Sequence, residues 1–314
     1  MINRRKFISS SSRNAAALAL CMPALSSRVF AQESRNGASA ELVAQPLGND
    51  LTLISGAGCN VLVKKAGNGD LLVVDGGLQH NAEKLLALIT AETSSSRIST
   101  LVNTHWHREQ TGLNEAVGAA GGRIFGHENT RLWLSVEIQR PWEETPFAPL
   151  PEIARPNETF YHYGDLNHGT ETLLYGYMRQ AHTDGDAYVY FPEENVIHAG
   201  GVISNEGWPI IDWWTGGWIG GLVDGLEIII KASNEATRII PANGPVMSYA
   251  ELLTMRDMYA TIFERIRNLF MKAQGPQETL AAKPTAEFDA QWGNSDLFVL
   301  LAHQSVLAHY APDA

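Results

Sequence analysis

Asn103-Thr104-His105-Trp106-His107-Arg108-Glu109-Gln110-Thr111-Gly112 packs two imidazoles and a carboxylate into five residues, directly after the apolar run Ile98 to Val102. The run has the length and composition of a strand, and the string after it leads into a helical pattern. In open α/β sheets, loops at the carboxyl ends of strands converge on one crevice, so side chains distant in sequence meet there. His182 stands in the same relation to another strand-like run, Thr172 to Met178. Three neutral imidazoles at roughly 2.0–2.1 Å hold Zn²⁺ with a fourth position open, the ligand count of catalytic zinc.

Working outward from the string, short apolar runs at Leu51 to Ile54, Val61 to Val63 and Leu71 to Val74, separated by Gly-rich turns, predict antiparallel strands. Asn81 to Ala91 then predicts a helix, and the pattern turns to alternating strand and helix: Ile98 to Val102, Gly112 to Ala120, Arg123 to Phe125, Glu128 to Gln139. Pro141 to Pro156 reads as an irregular surface loop. Strand-like runs resume at Thr172 to Met178, Ala187 to Phe191 and Val196 to Ile197. Helical stretches follow from Trp218 to Ala232, Ser248 to Lys272 and Leu297 to Leu307, with Ile239 and Ile240 ending a short strand.

Residues 1–31 have a basic start at Arg4-Arg5-Lys6, an apolar middle from Ala15 to Leu25 and a small-residue exit at Val29-Phe30-Ala31. They are expected to form a twin-arginine-type signal peptide, followed by a polar linker at 32–40, so the mature protein is expected in the periplasm. A lipid anchor on Cys21 is the rival, but Leu20 stands where a lipobox wants a small residue. The apolar middle is too short to span a membrane, and no integral segment is expected in the mature chain. The leader holds five basic residues and no acids, so removing it takes the formal charge from -11 to -16. Such a field excludes nucleic acid as an expected partner. It also leaves Cys59 as the single cysteine, which rules out an internal disulfide.

Several further strings lie in a fixed order around the histidines: Val73-Val74-Asp75-Gly76-Gly77, His182-Thr183-Asp184-Gly185-Asp186, Ile197-His198-Ala199-Gly200-Gly201 and Ile240-Pro241-Ala242-Asn243-Gly244-Pro245. Together with the histidine string they resemble the metallo-β-lactamase-fold hydrolases, from about Leu42 to the C terminus. The resemblance implies an α/β fold, the αββα sandwich, as a single domain over 41–314 with C-terminal helices and a metal crevice at its sheet edges. The family pattern is His-x-His-x-Asp-His, a later His, a bridging Gly-Asp and Pro-Gly-His-Gly-Pro. Here Glu109 stands for the Asp, Gln110 for the adjacent His, Gly201 for the bridging Asp and Asn243 for the last His. All four departures fall on the second metal site or the bridge, whereas His105, His107 and His182 are intact.

The resemblance therefore implies one Zn²⁺ on His105, His107 and His182, with the second site lost. Its activity is expected to be hydrolysis of a small ester, lactone, amide or related substrate through a zinc-bound hydroxide. Glu109 is either the group that orients or deprotonates the water or a fourth ligand that closes the site. Asp184 is a second candidate for proton transfer, and Asp75 is expected to fix loop geometry. The alternative is a pseudoenzyme that keeps the crevice for ligand or partner binding. His80, His162, His168, His303 and His309 are read as packing or surface residues, with His127 and His198 at strand ends as weaker site candidates. Trp208, Trp213, Trp214 and Trp218 either pack the sheet edge or form an aromatic wall. Cys59 is read as a buried apolar residue.

Overall fold

The structure, a computed structural model, describes residues 41–311; the expected leader 1–31 and linker 32–40 lie outside the described residues. One sheet follows chain order: β1 (Val43–Gly48), β2 (Leu51–Ser55), β3 (Val61–Lys65), β4 (Leu71–Val74), β5 (Ile98–Asn103), β6 (Arg123–His127) and β7 (Glu158–Phe160). It is antiparallel up to β4 and parallel from β4 to β7. The change comes where helices begin to intervene, because parallel neighbours need a crossover. Those helices are α1 (Ala82–Thr93), α2 (Arg108–Thr111), α3 (Asn114–Ala119) and α4 (Glu128–Trp133).

The other sheet has the order β12-β11-β10-β9-β8, formed by β8 (Tyr163–His168), β9 (Glu171–Met178), β10 (Asp186–Phe191), β11 (Val196–His198) and β12 (Arg238–Ile240). Only β11 and β12 run parallel in it, across α5 (Ile219–Ala232). Four helices follow: α6 (Tyr249–Met271), α7 (Pro276–Ala281), α8 (Asp289–Trp292) and α9 (Asp296–Tyr310). At the start of α6 the Ser248 hydroxyl accepts from Glu251 N and the Glu251 carboxylate accepts from Ser248 N, a reciprocal cap that fixes where the helix begins. No helix among the described residues is long and apolar enough to cross a membrane.

Strand alternation builds the layers. Val61, Val63, Val73 and Leu101 face outward onto Leu85 and Ile89 of α1, while Leu62, Leu72, Val74 and Val102 face inward and meet Leu173, Val189 and Phe191 of the other sheet. The outer face of that second sheet, Ile197 and Ile239, is covered by Leu222, Leu226, Tyr259, Ile262 and Phe298. The order is thus helix, sheet, sheet, helix, as expected.

Lys64 occupies the inward face beside Leu62 and is 1% exposed. Its ammonium donates to Glu194 at 2.6 Å and to the Asn49 carbonyl at 2.6 Å, and pairs with Glu171 at 2.8 Å. The ammonium is fully partnered and ties the β1–β2 turn to the second sheet. Lys64 pairs with Leu72 near the start of β4, away from that strand's carboxyl end. Lys64→Ala leaves two carboxylates without their cation and is expected to cost about 3–5 kcal/mol in chemical denaturation.

Candidate metal centre

β5 ends at Asn103, whose amide exchanges hydrogen bonds of 2.9 and 2.8 Å with that of Asn114, pinning the strand end to α3. The next residue, Thr104, binds the opposite sheet, its carbonyl accepting from Ala187 N at 2.8 Å. Its N–H and hydroxyl donate to the two Asp75 carboxylate oxygens, each at 2.8 Å. Asp75 holds a left-handed conformation, φ 61°, at the end of β4, which turns its carboxylate back under the loop. Burial pushes that carboxyl up to about 8, against the pull of the two Thr104 bonds. The loop after β5 is thereby fixed before either histidine appears.

His105 and His107 leave this loop and His182 leaves the β9–β10 connection. Their ring centroids lie 4.7, 4.8 and 4.7 Å apart. One nitrogen from each ring lies within 4.8 Å of the others, and all three residues are buried. The other nitrogen of each ring is tied outward, which sets the tautomer. His105 Nδ1 donates to the Thr104 hydroxyl at 3.1 Å, since that hydroxyl spends its proton on Asp75. His107 Nε2 lies 2.9 Å from Asp212 Oδ2 and 3.1 Å from Arg140 Nη1, and His182 Nδ1 donates to the Ile210 carbonyl at 2.6 Å. His105 Nε2, His107 Nδ1 and His182 Nε2 are left for the interior.

His107 Nδ1 and His182 Nε2 are 3.1 Å apart, close to the roughly 3.3 Å between two nitrogens each 2.0–2.1 Å from a tetrahedral ion. Burial pushes His105 and His107 well below the usual imidazole value and His182 down to about 4, so all three are neutral at pH 7, as ligands must be. Donor chemistry and spacing both fit a first-row divalent metal on the three histidines.

Asp212 was not picked out by motif or spacing. It is fully buried, and besides receiving His107 it caps the turn Trp213–Thr215 by accepting from Thr215 N at 3.1 Å. The Thr215 hydroxyl in turn accepts from Trp106 Nε1 at 3.0 Å. Arg140, just before the Pro-rich loop, brings a guanidinium nitrogen to 3.5 Å from the Asp212 oxygen that faces His107, pairs with Glu143 and lies over the Trp106 and Trp142 rings. A signal for Asp212 existed: an acid inside the apolar stretch Ile210 to Trp214 must be paired if it is buried. Asp212→Asn keeps the shape but weakens the hold on the His107 tautomer, and is expected to lower metal affinity about 10–100-fold in a chelator competition.

Glu109 sits half-buried in the first turn of α2 and lies outside the three-histidine cluster. Asp184 lies two residues beyond His182, accepts from Trp133 Nε1 at 2.6 Å and is pushed up to about 6 by burial. Apart from Glu109, the positions of the family's second metal hold nothing suited to one. Gly201 has no side chain, and a Cβ there would press inside contact distance of His182 and come within 2.8 Å of His105 Cε1. The Asn243 amide faces the Gly58 and Ala242 carbonyls at 3.2 Å, so the orientation that satisfies it directs its nitrogen to them. Gln110 is buried with its amide oxygen unpartnered.

His127 accepts from Asn129 N at the start of α4 and stacks on Tyr177, while His198 lies between Asn60 O and Gly200 N; neither belongs to the three-histidine cluster. Trp208 stacks on Phe298, and Trp213 and Trp214 pack against the helix-covered core. Cys59 is buried, as expected.

A profile of the metallo-beta-lactamase superfamily matches residues 56–250. No curated protein sequence matches the chain. Among solved structures, the metallo-beta-lactamase from Pontibacter korlensis superposes with a TM-score of 0.56 at 16% identity, covering 70% of this chain and 99% of its own. DIM-1 metallo-beta-lactamase gives 0.54 at 17% identity, covering 71% and 98%. Metallo-beta-lactamase IND-7 gives 0.55 at 15% identity, covering 69% and 98%. At these identities the likeness is one of fold.

Proposed function

The chain belongs to the metallo-beta-lactamase superfamily, and from that premise we propose that it is a mononuclear zinc hydrolase of a small ester, lactone, amide or related substrate. One observation carries the reading: three buried histidines converge on a common point, each with its outer nitrogen bonded to a different group. Zinc at that point supplies Lewis-acid activation of water and of the scissile carbonyl.

The chain's own residues divide the remaining work. His105, His107 and His182 hold the ion, while Thr104, Asp212 and the Ile210 carbonyl keep their rings in one tautomer. Glu109, two residues beyond His107 and outside the ligand cluster, suits the role of orienting water or taking its proton better than that of a fourth ligand. Asp184, held by Trp133 Nε1, suits proton delivery to the leaving group. The Gly201, Gln110 and Asn243 replacements support a single ion. The twin-arginine-type leader supports a periplasmic site of action after 1–31 are removed.

The test is metal analysis of the exported protein together with a hydrolase substrate panel. We expect about one zinc per chain and turnover that falls about 10²–10⁴-fold in Glu109→Gln with zinc retained. Bound zinc with no turnover on any substrate would assign the crevice to a binding protein instead. Two zinc ions per chain would overturn the mononuclear reading.

A further inference from the structure

The second sheet carries a group of carboxylates at the end remote from the histidines. Among the described residues, Glu171, Glu193 and Glu194 bring one oxygen each within 4.8 Å of one another. Glu171 opens β9, which spans about 23 Å from there to Met178, and His182 lies beyond that far end. Glu193 and Glu194 lie in the turn between β10 and β11. β9 and β10 are antiparallel neighbours with Leu174 opposite Tyr190, so the start of one strand meets the turn that ends the other.

Two oxygens of this group are closed off from water and left without a donor. Lys64 Nζ takes Oε1 of Glu194 at 2.6 Å and Oε1 of Glu171 at 2.8 Å, and it also donates to the Asn49 carbonyl. An ammonium has three donors, so none remains. Glu171 Oε2 and Glu194 Oε2 are buried with no hydrogen-bond partner, and the Glu194 side chain is only 1% exposed. The neighbouring bases are spent on the main chain: Arg238 Nη2 donates to the carbonyls of Leu47 and Glu194, and His168 Nε2 lies 3.1 Å from that of Lys64. Three carboxylates against the Lys64 ammonium leave two negative charges, and each unpartnered buried oxygen carries a desolvation cost. A divalent cation bound through oxygen removes both deficits.

We propose that Glu171, Glu193 and Glu194 form a calcium site, separate from the histidine centre and independent of its chemistry. Glu171 Oε2 and Glu194 Oε2 are its buried donors, and the exposed Glu193 closes it from the solvent side, with water completing the coordination. Oxygens on opposite sides of Ca²⁺ stand about 4.6–5.2 Å apart, a span that holds the three donors. An all-oxygen set suits zinc poorly, and magnesium, with its strict octahedron and retained waters, seldom takes three protein carboxylates. Lys64 keeps its Oε1 partners, and its charge holds the calcium affinity to the weak range of about 10⁻⁴–10⁻³ M. The ion joins the start of β9 to the β10–β11 turn and, through Lys64, to the β1–β2 turn, so its effect is on stability.

The experiment titrates the exported protein in calcium-free buffer with calcium chloride, and separately with magnesium chloride at matched ionic strength, by calorimetry and thermal unfolding. One Ca²⁺ per chain is expected, with Mg²⁺ at least about tenfold weaker and the unfolding midpoint raised by about 3–6 °C at about 10 mM calcium. Glu193→Gln, exposed and outside the Lys64 pairs, is expected to weaken calcium at least about fivefold without moving the calcium-free midpoint. Glu171→Gln/Glu193→Gln is expected to abolish the calcium response. A calcium response no larger than that to magnesium, or undiminished calcium binding in either variant, would overturn the proposal. Displacement of zinc by calcium would place the ion at the histidines and overturn it as well. No turnover is read, so failure here is separable from failure of the hydrolase assignment.

Discussion

His107→Ala is expected to strip the centre of metal, with zinc falling from the proposed one ion per chain to below about one tenth and turnover to background. The size of the effect follows from the position of this ring. Its inner nitrogen is 3.1 Å from that of His182 and its outer one is 2.9 Å from Asp212. Alanine removes a ligand and also leaves the fully buried Asp212 carboxylate without its imidazole partner. Two remaining imidazoles are too few to hold zinc against solvent, and structural relaxation around Asp212 adds about 1–3 kcal/mol of lost stability. Metal analysis after exhaustive dialysis, alongside thermal unfolding, reads both consequences. Retention of a full zinc ion in this variant would mean that the ion sits elsewhere.

Gly201→Asp is expected to damage the centre, although on paper it restores the family's bridging carboxylate. A Cβ at 201 would push against His182 and stand 2.8 Å from His105 Cε1, so the two rings must part. Separating them pulls their nitrogens from the spacing that a tetrahedral ion needs, and we expect a loss of zinc affinity of at least about 10³-fold. The partner positions do not help. Asn243 faces the Gly58 and Ala242 carbonyls, and Gln110 presents a neutral amide. Adding Asn243→His to the glycine substitution is therefore expected to leave zinc at or below one ion per chain. Two ions in the double variant, by metal analysis or in a crystal, would contradict this account.

The three histidines were legible because each follows an apolar run, and a strand end fixes where the next few side chains go. The replacements at 109, 110, 201 and 243 were equally plain as departures from a pattern. Asp212 and Arg140 were not, since their roles depend on contacts with His107 across more than thirty residues of sequence. In the fold, β1 and β8 escaped notice because Val43–Gly48 and Tyr163–His168 are mostly exposed edge strands, the first carrying Pro46 and Gly48 and the second mostly polar, with little apolar alternation to mark them. The expected helix 112–120 is present as Asn114–Ala119, and a separate short helix, Arg108–Thr111, precedes it at the point where Gly112 packs against the Gly77 carbonyl. The expected helix 128–139 stops at Trp133, and the residues beyond it turn towards the bridge between Ile138 and Phe147.

One carboxylate serves two structures that appear unrelated on the chain. Asp212 steadies a metal-binding imidazole with one oxygen and closes the tryptophan-bearing turn with the other. Drift at that position is therefore penalised twice, and neither the ion's cradle nor the aromatic segment above it is free to evolve without the other. Loss of this carboxylate would oblige the chain to rebuild the turn as well as the imidazole's support.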